Sequence, residues 1–236
     1  MNAQIQIKTD QLGFEYILFS DKLVRSESSP FPQFQISLLT YGLPSDIDLT
    51  NPLRPFVFFK DQGTIVFLDN ELNLAGNLFQ LNTAGSWQIS ACCSSKGNAF
   101  WMYDQLNRQL IQMNRENEIL LKSARLEINE EITQLIENEI QLFGVGSNGV
   151  LYQFNLFGNL ITKFDLNVFQ IIQLSKGLVA MTNEGILLEN IAGIWQEKFS
   201  LKNFMPEQEL LYVDRNYLVR YNKVSGVRTR EMNLEN

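Results

Sequence analysis

The sequence predicts an all-β protein of six small antiparallel sheets, on three observations. A strand of the pattern apolar-apolar-x-apolar runs into Asp or Asn again and again along the 236 residues, a second hairpin precedes each such corner, and almost no stretch carries a helical period. The corner phrases are "IVFLDNELNLAGNLFQL" from Ile65, "LIQMNRENEILLKS" from Leu110, "LYQFNLFGNLITKF" from Leu151, "LLENIAGIWQEKF" from Leu187 and "LVRYNKVSGVRTREM" from Leu218. A looser copy, "LVRSESSPFPQFQISL", starts at Leu23. The anchors Glu27, Asp69, Asn114, Asn155, Asn190 and Asn222 are spaced by 42, 45, 41, 35 and 32 residues, a mean of 39, so six units account for the chain.

Each element of the unit has a local reason. Asn and Asp tolerate positive φ and hydrogen-bond their own backbone, so they end strands and open tight turns. Gly158, Gly193 and Gly226 follow their anchors within four residues and supply a second left-handed position. The preceding hairpins turn at Asp61-Gln62-Gly63, Gln105 to Arg108, Ser147-Asn148-Gly149, Asn183-Glu184-Gly185 and Asp214 to Asn216. Upstream of these lies a less regular strand, such as "WQISACCS", "ITQLIE" or "FQIIQLS". Each unit is thus a four-stranded meander of about 40 residues. One such sheet cannot bury both of its faces, whereas six arranged radially can. The expected blades are 4–43, 44–83, 84–126, 127–166, 167–202 and 203–236, in one domain spanning 1–236. Ala91, Cys92, Cys93 and Ser94 suit the crowded axis, and Phe56, Phe58, Phe67, Phe100, Trp101, Tyr103 and Phe154 fill the wider gaps between sheets. "ARLEINEEITQLIENEI", Ala124 to Ile140, fits a helical face about as well as a strand-loop-strand and reads as a long crossing between the third and fourth units. A β-sandwich pair or a lipocalin-like barrel also has short, regularly spaced strands, but neither has about 24 of them in groups of four.

The unit typified by "FWMYDQLNRQLIQMNRENEIL" resembles the β-propeller superfamily, in particular the irregular exported propellers akin to NHL-type repeats. The resemblance covers most of the chain as repeat grammar, without the Gly-His to Trp-Asp pair of WD40 repeats or the double glycine of Kelch repeats. It implies a six-bladed β-propeller and brings no inherited active site.

Composition narrows the chemistry. Lys+Arg 19 against Asp+Glu 26 gives a net charge of −7, which repels a phosphate backbone and an anionic bilayer. Neither nucleic acid nor direct membrane insertion is expected. The absence of histidine removes the commonest general base and metal ligand. No Gly-x-Ser-x-Gly or phosphate-binding glycine loop occurs, and "GVGSNG" at 144–149 reads as a hairpin turn. Cys92 and Cys93, being neighbours, read as free thiols rather than a disulfide or zinc ligands. Asp46 and Asp48 make an incomplete calcium shell, so no metal and no cofactor is expected. Asp46, Asp48, Asp61, Asp104, Glu184 and Asp214 are candidates for a carboxylate pair, and a carbohydrate-binding or glycoside-active propeller is the alternative reading.

What remains is surface. Glu127, Glu130, Glu131, Glu137 and Glu139 gather in one unit, and Arg215, Arg220, Lys223, Arg228 and Arg230 in the last, a distribution that would orient the molecule on a partner if the two groups lie apart. Phe31 in "SSPFPQF" and Leu156 with Phe157 in "NLFGN" occupy loop tips. Phe31, Leu156, Phe157, Arg215 and Arg228 are the expected partner-binding residues. The expectation is a non-catalytic protein-binding propeller, an accessory or scaffold subunit of a cell-envelope complex whose partner is an outer-membrane or secretion-complex subunit. Asn-Ala-Gln ahead of the strand-like "IQIK" reads as the remnant of an export cleavage site, which places the protein in the periplasm or otherwise outside the cytoplasm; a cytoplasmic start is the alternative. "QIQIK" is either the first strand of the first blade or the strand that completes the last.

Overall fold

A computed structural model describes residues 6–26, 34–81, 87–174, 177–191, 193–214 and 217–234. Alternating apolar residues between Asx corners produce 23 strands in six antiparallel sheets, with no α-helix among the described residues. The first sheet holds β1 (Gln6–Thr9), β2 (Glu15–Leu18), β3 (Lys22–Ser26) and β4 (Phe34–Ser37). The second holds β5 (Asp46–Asp48), β6 (Phe56–Phe59), β7 (Thr64–Phe67) and β8 (Phe79–Gln80). The third is β9 (Ile89–Ser94), β10 (Ala99–Asp104), β11 (Gln109–Asn114) and β12 (Ile119–Lys122). The fourth is β13 (Ile132–Glu137), β14 (Gln141–Gly146), β15 (Val150–Asn155) and β16 (Leu160–Asp165), and the fifth β17 (Val168–Leu174), β18 (Gly177–Thr182), β19 (Ile186–Ile191) and β20 (Ile194–Ser200). The sixth has three strands, β21 (Glu209–Asp214), β22 (Tyr217–Asn222) and β23 (Arg228–Asn233). Every sheet is a meander, and the protein is a six-bladed β-propeller.

The corners are built by side chains. Asp69 Oδ1 accepts the N–H groups of Glu71 and Asn73, both at 2.8 Å, and Asn155 Oδ1 those of Phe157 and Asn159, both at 3.0 Å. Asn114 takes Glu118 N–H at 2.8 Å, Asn190 takes Gly193 N–H at 3.0 Å, and Asn222 takes Val224 and Ser225 N–H at 3.0 and 2.9 Å. The expected positive φ falls on one later residue and on none of these five anchors: Leu72 (64°), Asn117 (70°), Gly158 (76°), Gly193 (87°) and Gly226 (71°). A turn closed by the anchor's own carboxyl or amide needs only one left-handed residue to re-enter the ladder.

The chain divides into two compact units. One contains the first, second and sixth blades. Within it Tyr16, Leu18, Leu23 and Leu38 pack on Ile47, Val57, Phe59 and Val66, and Ile7 packs on Tyr212 and Val219. The other contains the third, fourth and fifth blades. Trp101, Tyr103 and Leu110 there meet Ile132, Leu135, Tyr152 and Phe154, while Phe143, Val145 and Leu151 meet Ile171, Leu178 and Ala180. All seven aromatics assigned to the gaps are buried, and Cys92 and Cys93 are buried free thiols.

Two expectations are corrected and one open alternative is decided. The crossing between the third and fourth blades ends before Ile132, because "ITQLIE" is β13; the apolar Leu126 and Ile128 ahead of it are buried as loop residues. β1 pairs with β2, so the described part of "QIQIK", Gln6–Lys8, belongs to the first blade. Among the described residues the last blade has no first strand. In its place Asn203 turns left-handed at φ 55°, Pro206 brings no N–H, and Gln208 and Glu209 N–H close onto Met205 O at 3.0 and 2.9 Å.

Candidate binding surface

The corners display apolar side chains outward. Phe157, the second residue after Asn155, is 72% exposed, and Val224 holds the same place after Asn222 with 82%. The fifth residue after four anchors is an exposed aliphatic, Leu74, Ile119, Leu160 and Val227, and Ile194 is the fourth after Asn190. Leu120, Ile161 and Ile191 extend the set beside them. This column was present in the aligned phrases, but two consecutive apolar residues opening a strand give no alternation to tell the buried from the open face. Eight residues after four of the anchors stand the basic residues Lys122, Lys163, Lys198 and Arg230.

Phe31 and Arg215 lie outside the described residues. Leu156 is half-buried beside the open Phe157. Arg228 reaches the first blade, its Nη1 and Nη2 donating to Glu15 at 2.8 and 2.9 Å. The two charge clusters are largely spent internally. Arg220 Nε pairs with Glu231 at 2.9 Å and Arg230 with Asp214 at 3.4 Å. Glu130 accepts Tyr152 O–H at 2.7 Å and Asn148 N–H at 2.6 Å, and Glu137 accepts Trp101 Nε1–H at 2.5 Å and Ser95 O–H at 2.6 Å.

Five of the six carboxylates proposed for glycoside chemistry, Asp46, Asp48, Asp104, Glu184 and Asp214, have separate structural partners. Asp46 pairs with Lys8 at 2.6 Å, and the fully buried Asp104 binds the N–H groups of Gln88 and Leu106 and the amide of Asn107. Asp48 accepts Thr50 N–H at 3.0 Å. Glu184 accepts from Asn167, and hydrogen bonds to its own backbone N–H and to Asn167 hold its carboxyl below the usual range. Among the described residues, no group of three or more Cys, Asp or Glu could hold a metal ion. Burial pushes the phenols of Tyr103 and Tyr212 up to about 12, and burial with the Glu130 carboxylate raises Tyr152 further.

The fold thus presents a scaffold with decorated corners, and its relatives in structure are propellers. A streptogramin B lyase structure superposes with a TM-score of 0.67 at 10% identity, over 98% of this chain and 83% of that one. BBS1N in complex with ARL6DN gives 0.58 at 12% identity, over 97% and 81%. BamB from Moraxella catarrhalis gives 0.51 at 12% identity, over 94% and 83%. At such identities the likeness is one of fold. No protein-family model and no curated protein matches the chain.

Proposed function

We propose that this is a non-catalytic protein-binding β-propeller, an accessory or scaffold subunit of a cell-envelope complex. The observation that carries the reading is the column of exposed aliphatic residues at the corners, with Phe157 the most prominent aromatic on it. Apolar side chains repeated at one register have no role in the packing of their own blade. Support also comes from the engagement of Asp46, Asp104 and Asp214, each in structural contacts of its own. BBS1N, similar in fold, was solved with a protein bound.

Tagged full-length chain captured from its native host at gentle salt should bring down a protein partner. Phe157→Ser should weaken that capture about tenfold without lowering the melting temperature, in keeping with an exposed anchor. A chain that always emerges alone contradicts the reading, and osmotic-shock fractionation checks the compartment.

A further inference from the structure

Strand β16 closes the fourth sheet, and among the described residues no strand pairs with its outward edge. The hydrogen-bonding phase of that edge follows from the corner before it. Asn155 N–H donates to Asn159 O at 3.0 Å, and the register shift between Gln153 and Phe154 absorbs Ile161, so Gln153↔Thr162 and Leu151↔Phe164 exchange bonds. The third blade keeps the same phase: Ser123 N–H donates to Leu110 O at 2.8 Å, at the places that match Phe164 and Leu151. The N–H and C=O of Lys163 and Asp165 therefore point away from β15. Side chains alternate likewise, with Ile161, Lys163 and Asp165 exposed and Thr162 and Phe164 half-buried. Charge sets this outer strand apart. Lys198 of β20 pairs with Glu189, Arg228 and Arg230 of β23 pair with Glu15 and Asp214, β12 carries Lys122 and no acid, and β4 carries no charge. Lys163 and Asp165 are of opposite sign on one open face, and among the described residues neither has an ion pair or a side-chain hydrogen bond.

We propose that β16 is a self-association edge: two copies of this chain pair β16 with β16, antiparallel about a two-fold axis at Phe164, each Lys163 facing Asp165 of the other copy. An axis at Phe164 matches Lys163 to Asp165, and both have their backbone groups directed outward, so each match exchanges its N–H and C=O bonds and joins opposite charges at once. Other registers fail. An axis at Lys163 opposes two ammonium groups, one at Asp165 opposes two carboxylates, and one at Thr162 sets Lys163 against Ile161 and leaves both charges unmatched. An axis between residues would match an outward N–H to an inward one. Ile161 shares the open face and adds apolar cover beside the charge pairs. A single shared strand buries less than the roughly 1,200 Å² of a stable interface, so the dimer is weak and forms with concentration.

Sedimentation equilibrium of the purified full chain at low salt tests the edge and should show monomer and dimer exchanging with a Kd of about 10 to 100 μM. Lys163→Asp or Asp165→Lys alone sets like charges together and should weaken dimerisation at least about tenfold. The double exchange restores both pairs in reverse and should recover the dimer to within about threefold. Both side chains are exposed, so the variants should melt as the parent does. Amide exchange in the isotope-labelled chain reads the register: Lys163 and Asp165 should slow at least about fivefold as the dimer fills, while Phe164 is protected in dilute solution as well. A chain that stays monomeric up to about 1 mM, a dimer indifferent to either single reversal, a double variant no better than the singles, or Lys163 and Asp165 amides that ignore concentration would each overturn the proposal. These measurements use the purified chain alone, so their outcome is independent of whether a host protein is captured through Phe157.

Discussion

Asn155 and Gly158 divide the work of one corner: the amide gathers two N–H groups, and the glycine adopts φ 76°, which sends the chain back into β16. A Cβ on Gly158 would stand 2.8 Å from Ser123 Cβ in addition to the left-handed strain. Gly158→Ala should therefore cost about 2 kcal/mol in urea unfolding. Asp69 is the acidic member of the five described corners. Burial raises its carboxyl, but hydrogen bonds from the Asn73 side chain and from the N–H groups of Asn73 and Glu71 outweigh this and hold it below its ordinary value. Its folded value is depressed, so its contribution is complete above about pH 4 and fades as the pH falls through the folded value. Asp69→Asn, which copies the sibling corners, should flatten that acid limb in melts between about pH 5 and 2. Tyr103 is fully buried, and its hydroxyl has no hydrogen-bond partner among the described residues. Tyr103→Phe should raise stability by about 1 kcal/mol, measured by the urea midpoint.

Strands β10 and β13 meet through a polar contact set in an apolar gap. Glu137 holds Trp101 and Ser95, and Ser95 Oγ accepts from Gln112 Nε2 at 2.8 Å, so one carboxylate ties the third blade to the fourth. Glu137→Ala leaves an indole N–H and a hydroxyl without their acceptor and should cost about 3 kcal/mol, with Glu137→Gln recovering roughly half, as read from chemical denaturation. The acid cluster of 127–139 reads as a solvated charge field when taken residue by residue. Only the partner 36 residues away reveals Glu137 as a tether, since nothing in "ITQLIE" names Trp101. The strand was legible as the irregular first strand of its unit, but Ile132 and Leu135 stand three apart, a spacing that fits a helical face as well, and a register shift between Ile132 and Gln134 accommodates it in the sheet.

Across the molecule, first and last blades are joined by Arg228 and Glu15, 213 residues apart in sequence. The pair is partly open to water, so Arg228→Ala should cost no more than about 1 kcal/mol, and about 0.5 M salt should erase most of that difference in thermal melts. Six blades, the five corners from Asp69 to Asn222 and the buried aromatics could be read from the chain, the corner at Glu27 lying outside the described residues: an Asx side chain closes its own turn, and a short apolar run marks its own strand. The three-stranded last blade, the outward register of Leu160 and Val227, and the pairing of Arg228 with Glu15 belong to the tertiary structure alone. Local sequence carries the free energy of turns and strands, whereas which face is dry and which edge stays open depends on what the rest of the chain places beside it.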